Sequence, residues 1–416
     1  MLKNNKKIVV IGLLMCFLNV NAQEISLQKV LETIQENNPL LKMQDAEIKS
    51  MDTLAFGAKT WMNPQVNTGL FMTPYNPSMW TSSAMNNGMG NYMVGVTQMI
   101  PNAKKQEANY AYLKGVSSIE KNRKTFNNNR LNAMAKMNYY QWIVLEKKKK
   151  ILQENQQLLA YMMKSIEIRY EYNTTKLPNY FKAESHYENI ELQLLQLENE
   201  VELKRIALNT LMSRDKSEEF TIDTNFVIQS FDEMINDTTL LTQNRSDIKA
   251  IESTIQLNEL KINAEKAKNL PEFGVQYNHM FTFGNNPQMF SLMAMASIPM
   301  PWSTKMNEAK IISTKFKNES LNWQKSNLLN NVSGQLETLN ADLKTKTKQL
   351  AITEDKILPA LKKNYELSLL AWQNNTGNLF EVLDAWEAYN MTQIETLDKL
   401  EKILLLQVAI EEQLEL

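Results

Sequence analysis

Residues 102–172 contain no proline and a single glycine, Gly115, and this run constrains the fold more than any other feature of the chain. Without helix breakers the run favours one continuous helix, which would be about 105 Å long at the rise of an α-helix. A helix of that length is much longer than a compact globular domain requires. The whole chain shares the bias, because its 416 residues include only 11 glycines and 11 prolines. We therefore predict that long helices dominate.

The sequence pattern predicts one structural plan twice, beginning with a shorter helix in each half. Residues 24–62 have apolar side chains at spacings of three and four until Asn63-Pro64, and residues 246–269 show a similar pattern until Leu270-Pro271. This period predicts an amphipathic helix, and the proline is expected to end it.

A pair of strands is predicted after each of these helices. In residues 273–283 aromatic and apolar side chains alternate with polar ones, which predicts a strand with one apolar and one polar face. The two predicted hairpins are residues 65–100, with strands 65–73 and 91–100, and residues 273–299, with strands 273–283 and 290–299.

Each hairpin leads through a proline into long helices, which we predict over residues 102–172, 178–212, 303–372 and 378 to the end. Pro359 should kink the third of them. The helix 178–212 has the apolar seam of a left-handed coiled coil. The seam residues are Ile190, Leu194, Leu197, Val201, Leu208 and Leu211.

The start of the chain has the features of a secretory signal peptide. Three lysines within the first seven residues precede an apolar stretch, and a small residue, Ala22, marks the expected cleavage point. The only cysteine, Cys16, lies in the apolar stretch, so the mature protein would contain neither a disulfide nor a thiolate metal site. The alternative is that Cys16 is the acylated first residue of a lipoprotein.

These observations predict a division into four segments. They are a signal peptide (1–22), a first repeat (23–212), a linker that includes a short strand (213–230) and a second repeat (231–416).

Four strands per chain have a consequence for assembly. Four membrane-length strands cannot close into a barrel, and open strand edges are not tolerated in lipid. Three chains would supply twelve strands, an even number within the range of known outer-membrane barrels. We therefore predict a mainly α fold with β-hairpins, in which antiparallel coiled-coil helices form an α-barrel and four strands per chain join a trimeric 12-stranded transmembrane β-barrel.

The sequence resembles the TolC-like outer-membrane efflux proteins over essentially its whole mature length, and five segments carry the resemblance. They are ISLQKVLETIQENNPLLK, VGVTQMIPNAKKQEANYAY, IRYEYNTTKLPNYFKAE, NTGNLFEVLDAWEAYN and ILPALKKNYELSLLAW. The last, with its proline, is most similar to the branch that serves heavy-metal efflux pumps. The resemblance implies a homotrimer in outer-membrane lipid, with helices reaching into the periplasm. It also implies two protein partners, a periplasmic adaptor (membrane fusion) protein and an inner-membrane pump of the RND type.

The resemblance also implies a gate at the periplasmic helix tips, where rings of carboxylates select cations. By motif, Glu381 and Asp384 occupy those positions, and Arg169 and Tyr170 are their candidate partners. The alternative is that these are solvated helix carboxylates, a surface arginine and a packed tyrosine.

Methionines are concentrated around the predicted hairpins, with thirteen in residues 62–100 and 280–306. Thioethers suit soft cations such as Cu(I), so some of them are candidate metal contacts: Met72, Met93, Met99, Met280, Met293 and Met295. The alternative is that methionine is an apolar filler, placed on both strand faces. The two histidines, His186 and His279, stand alone and give little support to a zinc or catalytic site.

Aromatic residues flank the predicted strands. At barrel ends they would form the girdle that anchors a membrane protein at the lipid interface, whereas in a soluble protein they would be core residues. The candidates are Trp61, Tyr75, Trp80, Tyr92 and Trp302.

The sequence thus predicts a passive export channel without a cofactor, and its substrate is left open. The other interpretation is a secreted coiled-coil scaffold, which would have heptads without hairpins. An enzyme is disfavoured, because we find no phosphate-binding loop, metal-ligand spacing or nucleophile elbow. The net charge of −1 also disfavours a nucleic-acid partner.

Overall fold

The computed structural model describes residues 24–81, 87–172, 177–231, 234, 238–283 and 285–416. The predicted signal peptide, Cys16 within it and the predicted break at Asn173-Thr174-Thr175 lie outside the described residues.

Long helices and short strands alternate along the described chain. The strands are Glu24–Ile25 (β1), Gln65–Leu70 (β2), Asn91–Ile100 (β3), Thr221–Ile222 (β4), Glu272–Thr282 (β5) and Met289–Ser297 (β6). The helices are Leu27–Asn37 (α1), Pro39–Phe56 (α2), Ala103–Glu171 (α3), Leu177–Met212 (α4), Thr238–Asn244 (α5), Ser246–Ala267 (α6), Pro301–Ile352 (α7), Leu358–Gln373 (α8) and Leu379–Leu414 (α9). Among the described residues, no helix is both long enough and apolar enough to cross a membrane.

The contacts divide the chain into two compact units. The helical unit comprises the described part of Met1–Glu36 together with Ala135–Val227 and Glu354–Glu401. The sheet unit comprises Asn37–Met134, Ile228–Thr353 and Lys402–Leu416. Each unit takes elements from both halves of the sequence, so the two repeats are interleaved within each unit.

In the helical unit, one apolar cluster joins the end of α3 to α4, α8 and α9. The predicted seam of α4 points into it, because Ile190 and Leu197 are buried there and Leu194 and Val201 pack against it. A buried hydrogen bond of 2.7 Å, from the indole Nε1 of Trp386 to Asn155 Oδ1, lies within this packing. The apolar seam is thus confirmed for four of its six residues, and the left-handed coiled coil stays a prediction.

A short parallel strand pair completes the helical unit. Glu24 of β1 lies beside Thr221 of β4, which confirms a strand in the predicted linker. The hydroxyl of the buried Tyr139 lies 3.1 Å from the Ile25 carbonyl and 3.0 Å from the Asp223 carbonyl. Burial, reinforced by the nearby Asp223 carboxylate, raises the pKa of Tyr139 to about 12.

The two predicted hairpins form one antiparallel sheet in the sheet unit, in the order β2-β3-β5-β6. Within the first hairpin Val66 lies opposite Val96. The hairpins join through β3 and β5, where Val96 lies opposite Tyr277, and Tyr277 in turn lies opposite Leu292 of β6. The duplicated sequence plan therefore produces neighbouring hairpins.

Two helix predictions need correction. The predicted helix 24–62 is two helices, because Pro39 is the first residue of α2 and cannot donate a hydrogen bond back into α1. Asn38 caps α2, since its Oδ1 accepts from the Leu40 N–H at 3.0 Å. The interruption predicted at Pro359 is a π-helical turn over Thr353–Ile357, just before α8. Helix α5 was not predicted.

Candidate functional site

The four-stranded sheet has one apolar and one polar face. Residues opposite each other on paired strands share a face, so the strand register determines which residues lie on each face. The apolar face carries Val66, Thr68, Leu70, Tyr92, Val94, Val96, Gln98, Ile100, Phe273, Val275, Tyr277, His279, Phe281, Phe290, Leu292, Ala294 and Ala296. Most of its large side chains are exposed, as Leu292 is at 67%. An apolar surface of this kind marks a contact with lipid or protein.

The polar face carries amide, hydroxyl, glycine and methionine residues. Its members are Gln65, Asn67, Gly69, Asn91, Met93, Gly95, Thr97, Met99, Glu272, Gly274, Gln276, Asn278, Met280, Thr282, Met289, Ser291, Met293, Met295 and Ser297. Five of the six candidate metal contacts lie on this face, and the sixth, Met72, lies beyond β2 with a positive φ of 48°. The prediction that methionines lie on both strand faces is therefore wrong, because those within the strands lie on the polar face.

A polar row crosses the middle of that face. Asn67, Gly95, Asn278 and Ser291 lie opposite one another on successive strands. Asn278 is buried and donates from its Nδ2 to Ser291 Oγ at 3.0 Å. A Cβ added at Gly95 would overlap the Oδ1 atoms of both Asn67 and Asn278. Glycine is therefore what allows the two amides to cover this position.

The aromatic candidates lie at the two ends of the sheet. Trp61 precedes β2 and Trp302 opens α7, both at the helix end, and both are exposed. Tyr75, Trp80 and Tyr92 lie at the loop end. Tyr75 is fully exposed, whereas Trp80 is half-buried and donates from Nε1 to the Pro74 carbonyl at 2.7 Å. Two aromatic bands thus bracket strands of nine to eleven residues in β3, β5 and β6.

In the helical unit, Arg169 near the end of α3 binds the end of α8. Its Nη1 donates to the Trp372 carbonyl at 3.1 Å and to Asn375 Oδ1 at 2.7 Å, and its Nη2 donates to the Gln373 carbonyl at 3.0 Å. Carbonyls at a helix C-terminus lack partners within the helix, and a cation there is favoured. Arg169 therefore fixes the turn between α8 and α9.

The two candidate gate carboxylates lie in the first turns of α9. Asp384 accepts from Lys182 Nζ of α4 at 2.9 Å and is 67% exposed, and Glu381 is also exposed. The same Lys182 ammonium lies 4.3 Å from the ring centroid of Phe380. Lys182 is thus a partner of Asp384 within one chain, a role that sequence reasoning missed.

Tyr170 is exposed, next to Arg169. The three hydrogen bonds of Arg169 described above end on the Trp372 and Gln373 carbonyls and on Asn375. The pairing of Arg169 and Tyr170 with Glu381 and Asp384 stays a prediction.

The histidines have separate surroundings. The His186 ring packs edge-on against Trp386, with its Nε2 4.0 Å from Glu387. His279 lies on the apolar sheet face, edge-on against Phe281. Among the described residues, no three His, Cys, Asp or Glu side chains gather in a way that could hold a metal ion.

Comparison with known proteins shows likeness at the level of structure. The sequence matches no protein-family model and no curated protein. The outer-membrane protein VceC of Vibrio cholerae is 13% identical and superposes with a TM-score of 0.72 over 93% of this chain and 95% of its own. The MtrE outer-membrane channel of Neisseria gonorrhoeae, solved in its open state, is 14% identical and superposes with a TM-score of 0.70 over 93% of this chain and 88% of its own. The CmeC outer-membrane channel of Campylobacter jejuni is 12% identical and superposes with a TM-score of 0.70 over 93% of this chain and 85% of its own.

The chain has the fold of these outer-membrane proteins. The likeness extends over nearly the whole of each chain, so it includes the hairpin sheet as well as the long helices. It confirms the mainly helical fold with two hairpins that the TolC-like resemblance implied.

Proposed function

We propose that this chain is the outer-membrane channel subunit of a tripartite export system, a passive conduit through the outer membrane and the periplasm. Three copies would form the channel, and a periplasmic adaptor and an inner-membrane pump of the RND type would complete the system. The fold of the neighbours supports this role, and the segment ILPALKKNYELSLLAW, similar to the heavy-metal branch, favours metal cations as cargo.

The observation that carries the proposal is the exposed apolar face of the sheet. Its strands β3, β5 and β6 have nine to eleven residues, the length at which a tilted strand spans a bilayer. The aromatic residues at both ends, Trp61 and Trp302 at one and Tyr75 at the other, match the girdles of membrane barrels. The polar face would then line an aqueous lumen.

The sheet order explains why one copy is not enough. Strands β2 and β6 are the outer strands of the sheet, and an unpaired strand edge is costly in lipid. If β6 of one copy pairs with β2 of the next, three copies close a ring of twelve strands through a single repeated contact. The homotrimer is therefore part of the proposal.

An apolar stripe on α7 supports the same assembly. Its exposed members are Trp302, Met306, Ile312, Phe316 and Trp323. The opposite side of α7 already carries buried residues such as Leu321 and Leu336 that pack within the sheet unit. A helix with a second apolar stripe is suited to a second partner, which we assign to the neighbouring copy.

Gating would involve the helical unit. Glu381 and Asp384 would line a constriction, with Lys182 holding Asp384 and Arg169 holding the turn that precedes α9. Docking of the adaptor would separate the helix ends and widen the passage. The exposed aromatic residues Tyr170, Tyr172 and Phe181 supply a surface for that contact.

A scaffold without transport activity is the competing function, and matched arginine variants separate the two. Leu292 and Met293 are neighbours in β6 on the apolar and polar faces. In a membrane barrel Leu292→Arg should cost about 2–4 kcal/mol near the bilayer centre, whereas Met293→Arg should leave insertion intact. Outer-membrane fractionation, heat-sensitive trimers in gels and planar-bilayer conductance would report insertion. A wild-type protein that stays monomeric, outside the membrane and without conductance would overturn the proposal.

A further inference from the structure

All six methionines in the strands of the sheet lie on its polar face: Met93, Met99, Met280, Met289, Met293 and Met295. The valine, isoleucine, leucine and phenylalanine residues of the same strands lie on the other face. A methionine that merely fills apolar volume would share the apolar face. The location of the methionines among amides and hydroxyls indicates that their thioether groups act as ligands.

Three of these methionines are adjacent in space. Met93 of β3 lies opposite Met280 of β5, which in turn lies opposite Met289 of β6. Opposed side chains on neighbouring strands have Cβ atoms about 5 Å apart, and methionine adds three flexible bonds beyond that. The three sulfur atoms can therefore converge above the middle strand. We call Met93, Met280 and Met289 the methionine triad.

A second group lies towards the helix end of the same face. Gly274 of β5 lies opposite both Met99 and Met295. A Cβ added at Gly274 would be only 2.6 Å from Met99 Sδ, so the thioether of Met99 lies over the glycine, between the flanking strands. Met293 lies between the two groups along β6. Thioethers thus recur along the length of the face.

We propose that the methionine triad binds a soft monovalent cation, Cu(I) or Ag(I). Uncharged thioethers favour such ions over hard or borderline divalent ions. On this face of the strands the only ionisable side chain is Glu272, at the far end of β5 from the triad, so a zinc or calcium ion would find no carboxylate or imidazole ligand there. Met289 is 48% exposed and Met93 and Met280 are half-buried, which leaves the site accessible.

Metal binding by one chain does not depend on the proposed channel. If the channel forms, the polar face lines its lumen and the triad becomes a site along the conduit, three times repeated. That part of the inference rests on the proposed function, and binding and conductance measurements test the two separately.

The test is Ag(I) binding to the purified full-length protein in chloride-free detergent solution, measured by metal analysis after equilibrium dialysis. The triad variant M93L/M280L/M289L keeps side-chain volume nearly constant and should bind at least tenfold more weakly than wild type. The matched control M43L/M234L/M391L removes three exposed methionines outside the sheet and should bind as wild type does. Equal Ag(I) binding by the triad variant and the control would overturn the proposal.

Two further measurements decide the result if the triple variant fails to fold. The single variant M280L removes the central thioether and should weaken binding on its own, whereas unchanged affinity would count against the triad. X-ray absorption of the silver-loaded wild type should show sulfur neighbours only, and Zn(II) should not compete. A nitrogen or oxygen coordination shell, or equal competition by Zn(II), would contradict a thioether site. A thioether takes up no proton near neutral pH. The Ag(I) affinity should therefore stay constant as the pH is lowered, whereas the affinity of a histidine site would weaken.

Discussion

Arg169 and Trp372 are joined twice, through the side chain and through the backbone. The guanidinium Cζ lies 4.4 Å from the Trp372 ring centroid, and the same guanidinium donates to the Trp372 carbonyl. A cation over an indole is worth about 0.5–1 kcal/mol at an exposed site, and the hydrogen bonds to the end of α8 add to it. The turn that leads into α9 is therefore held by one side chain of α3.

Replacement of Arg169 by alanine should loosen that turn. We expect a loss of about 1–3 kcal/mol of unfolding free energy, since hydrogen bonds from a charged group are stronger than neutral ones. The turn at residues 374–378 should also become susceptible to limited proteolysis. Arg169→Lys should restore little, because an ammonium cannot reproduce the planar fork. Lys164→Ala, on the exposed side of the same helix, is the control. Equal protease resistance in all variants would remove the role of Arg169.

Neutralising the two carboxylates of α9 should change conductance more than stability. In the double variant Glu381→Gln/Asp384→Asn the Lys182 ion pair is lost, yet an exposed pair contributes only about 0–1 kcal/mol. Leak conductance in planar bilayers should rise several-fold, and cation selectivity should fall. Glu319→Gln, an exposed carboxylate of α7, is the control. If the double variant conducts like wild type, the gate assignment is wrong.

Gly95→Ala should damage the sheet. The added methyl group would overlap the amides of Asn67 and Asn278, and the buried Asn278 has little room to move. We expect a loss of about 1–3 kcal/mol, the usual cost of overpacking, and a lower yield of membrane-inserted trimer. Gly334→Ala provides the contrast, because nothing lies near its added methyl group and alanine favours the helix by about 1 kcal/mol. A stable Gly95→Ala trimer would disprove the close approach of the two amides.

Alkaline pH should destabilise the helical unit. Burial raises the pKa values of Tyr139 and Tyr365 to about 12, above the ordinary tyrosine value of 10.0. Between these values the unfolded chain has released protons that the folded chain still holds, so the unfolding free energy falls as pH rises. Denaturant unfolding at several pH values should show this slope.

Tyr365→Phe is the cleaner probe of that effect. The buried hydroxyl of Tyr365 has no hydrogen-bond partner among the described residues, so its removal should cost little at neutral pH. Stability of the variant should decline less steeply above pH 10 than that of wild type. Identical slopes would show that Tyr365 ionises as freely in the folded protein as in the unfolded one.

The sequence predicted elements better than contacts. The alternation in residues 273–283 predicted β5 to within one residue at each end. A strand with one apolar and one polar face has alternating apolar and polar residues, and this alternation is visible in the sequence. The split at Asn38-Pro39 was missed, although a capping asparagine followed by proline is a helix start, because the apolar period continues through it.

The candidate site was predictable only where neighbours in sequence are neighbours in space. Lys182 and Asp384 are 202 residues apart and meet only when α4 packs with α9, which no local pattern reveals. The segregation of the methionines needed the register between β3 and β5, since methionines of the loops obscured the alternation. Arg169 was selected by resemblance, but its attachment to α8 depends on packing.

The unequal lengths of the outer strands matter for how copies would join. β2 has six residues whereas β6 has nine, so a joint between them can hold at most the shorter number of residue pairs. Before assembly, a short edge also offers little template for pairing with unrelated strands. In a ring of three copies, the three contacts between β6 of one copy and β2 of the next would therefore form last. Under denaturant they would also separate before the strand pairs within a hairpin.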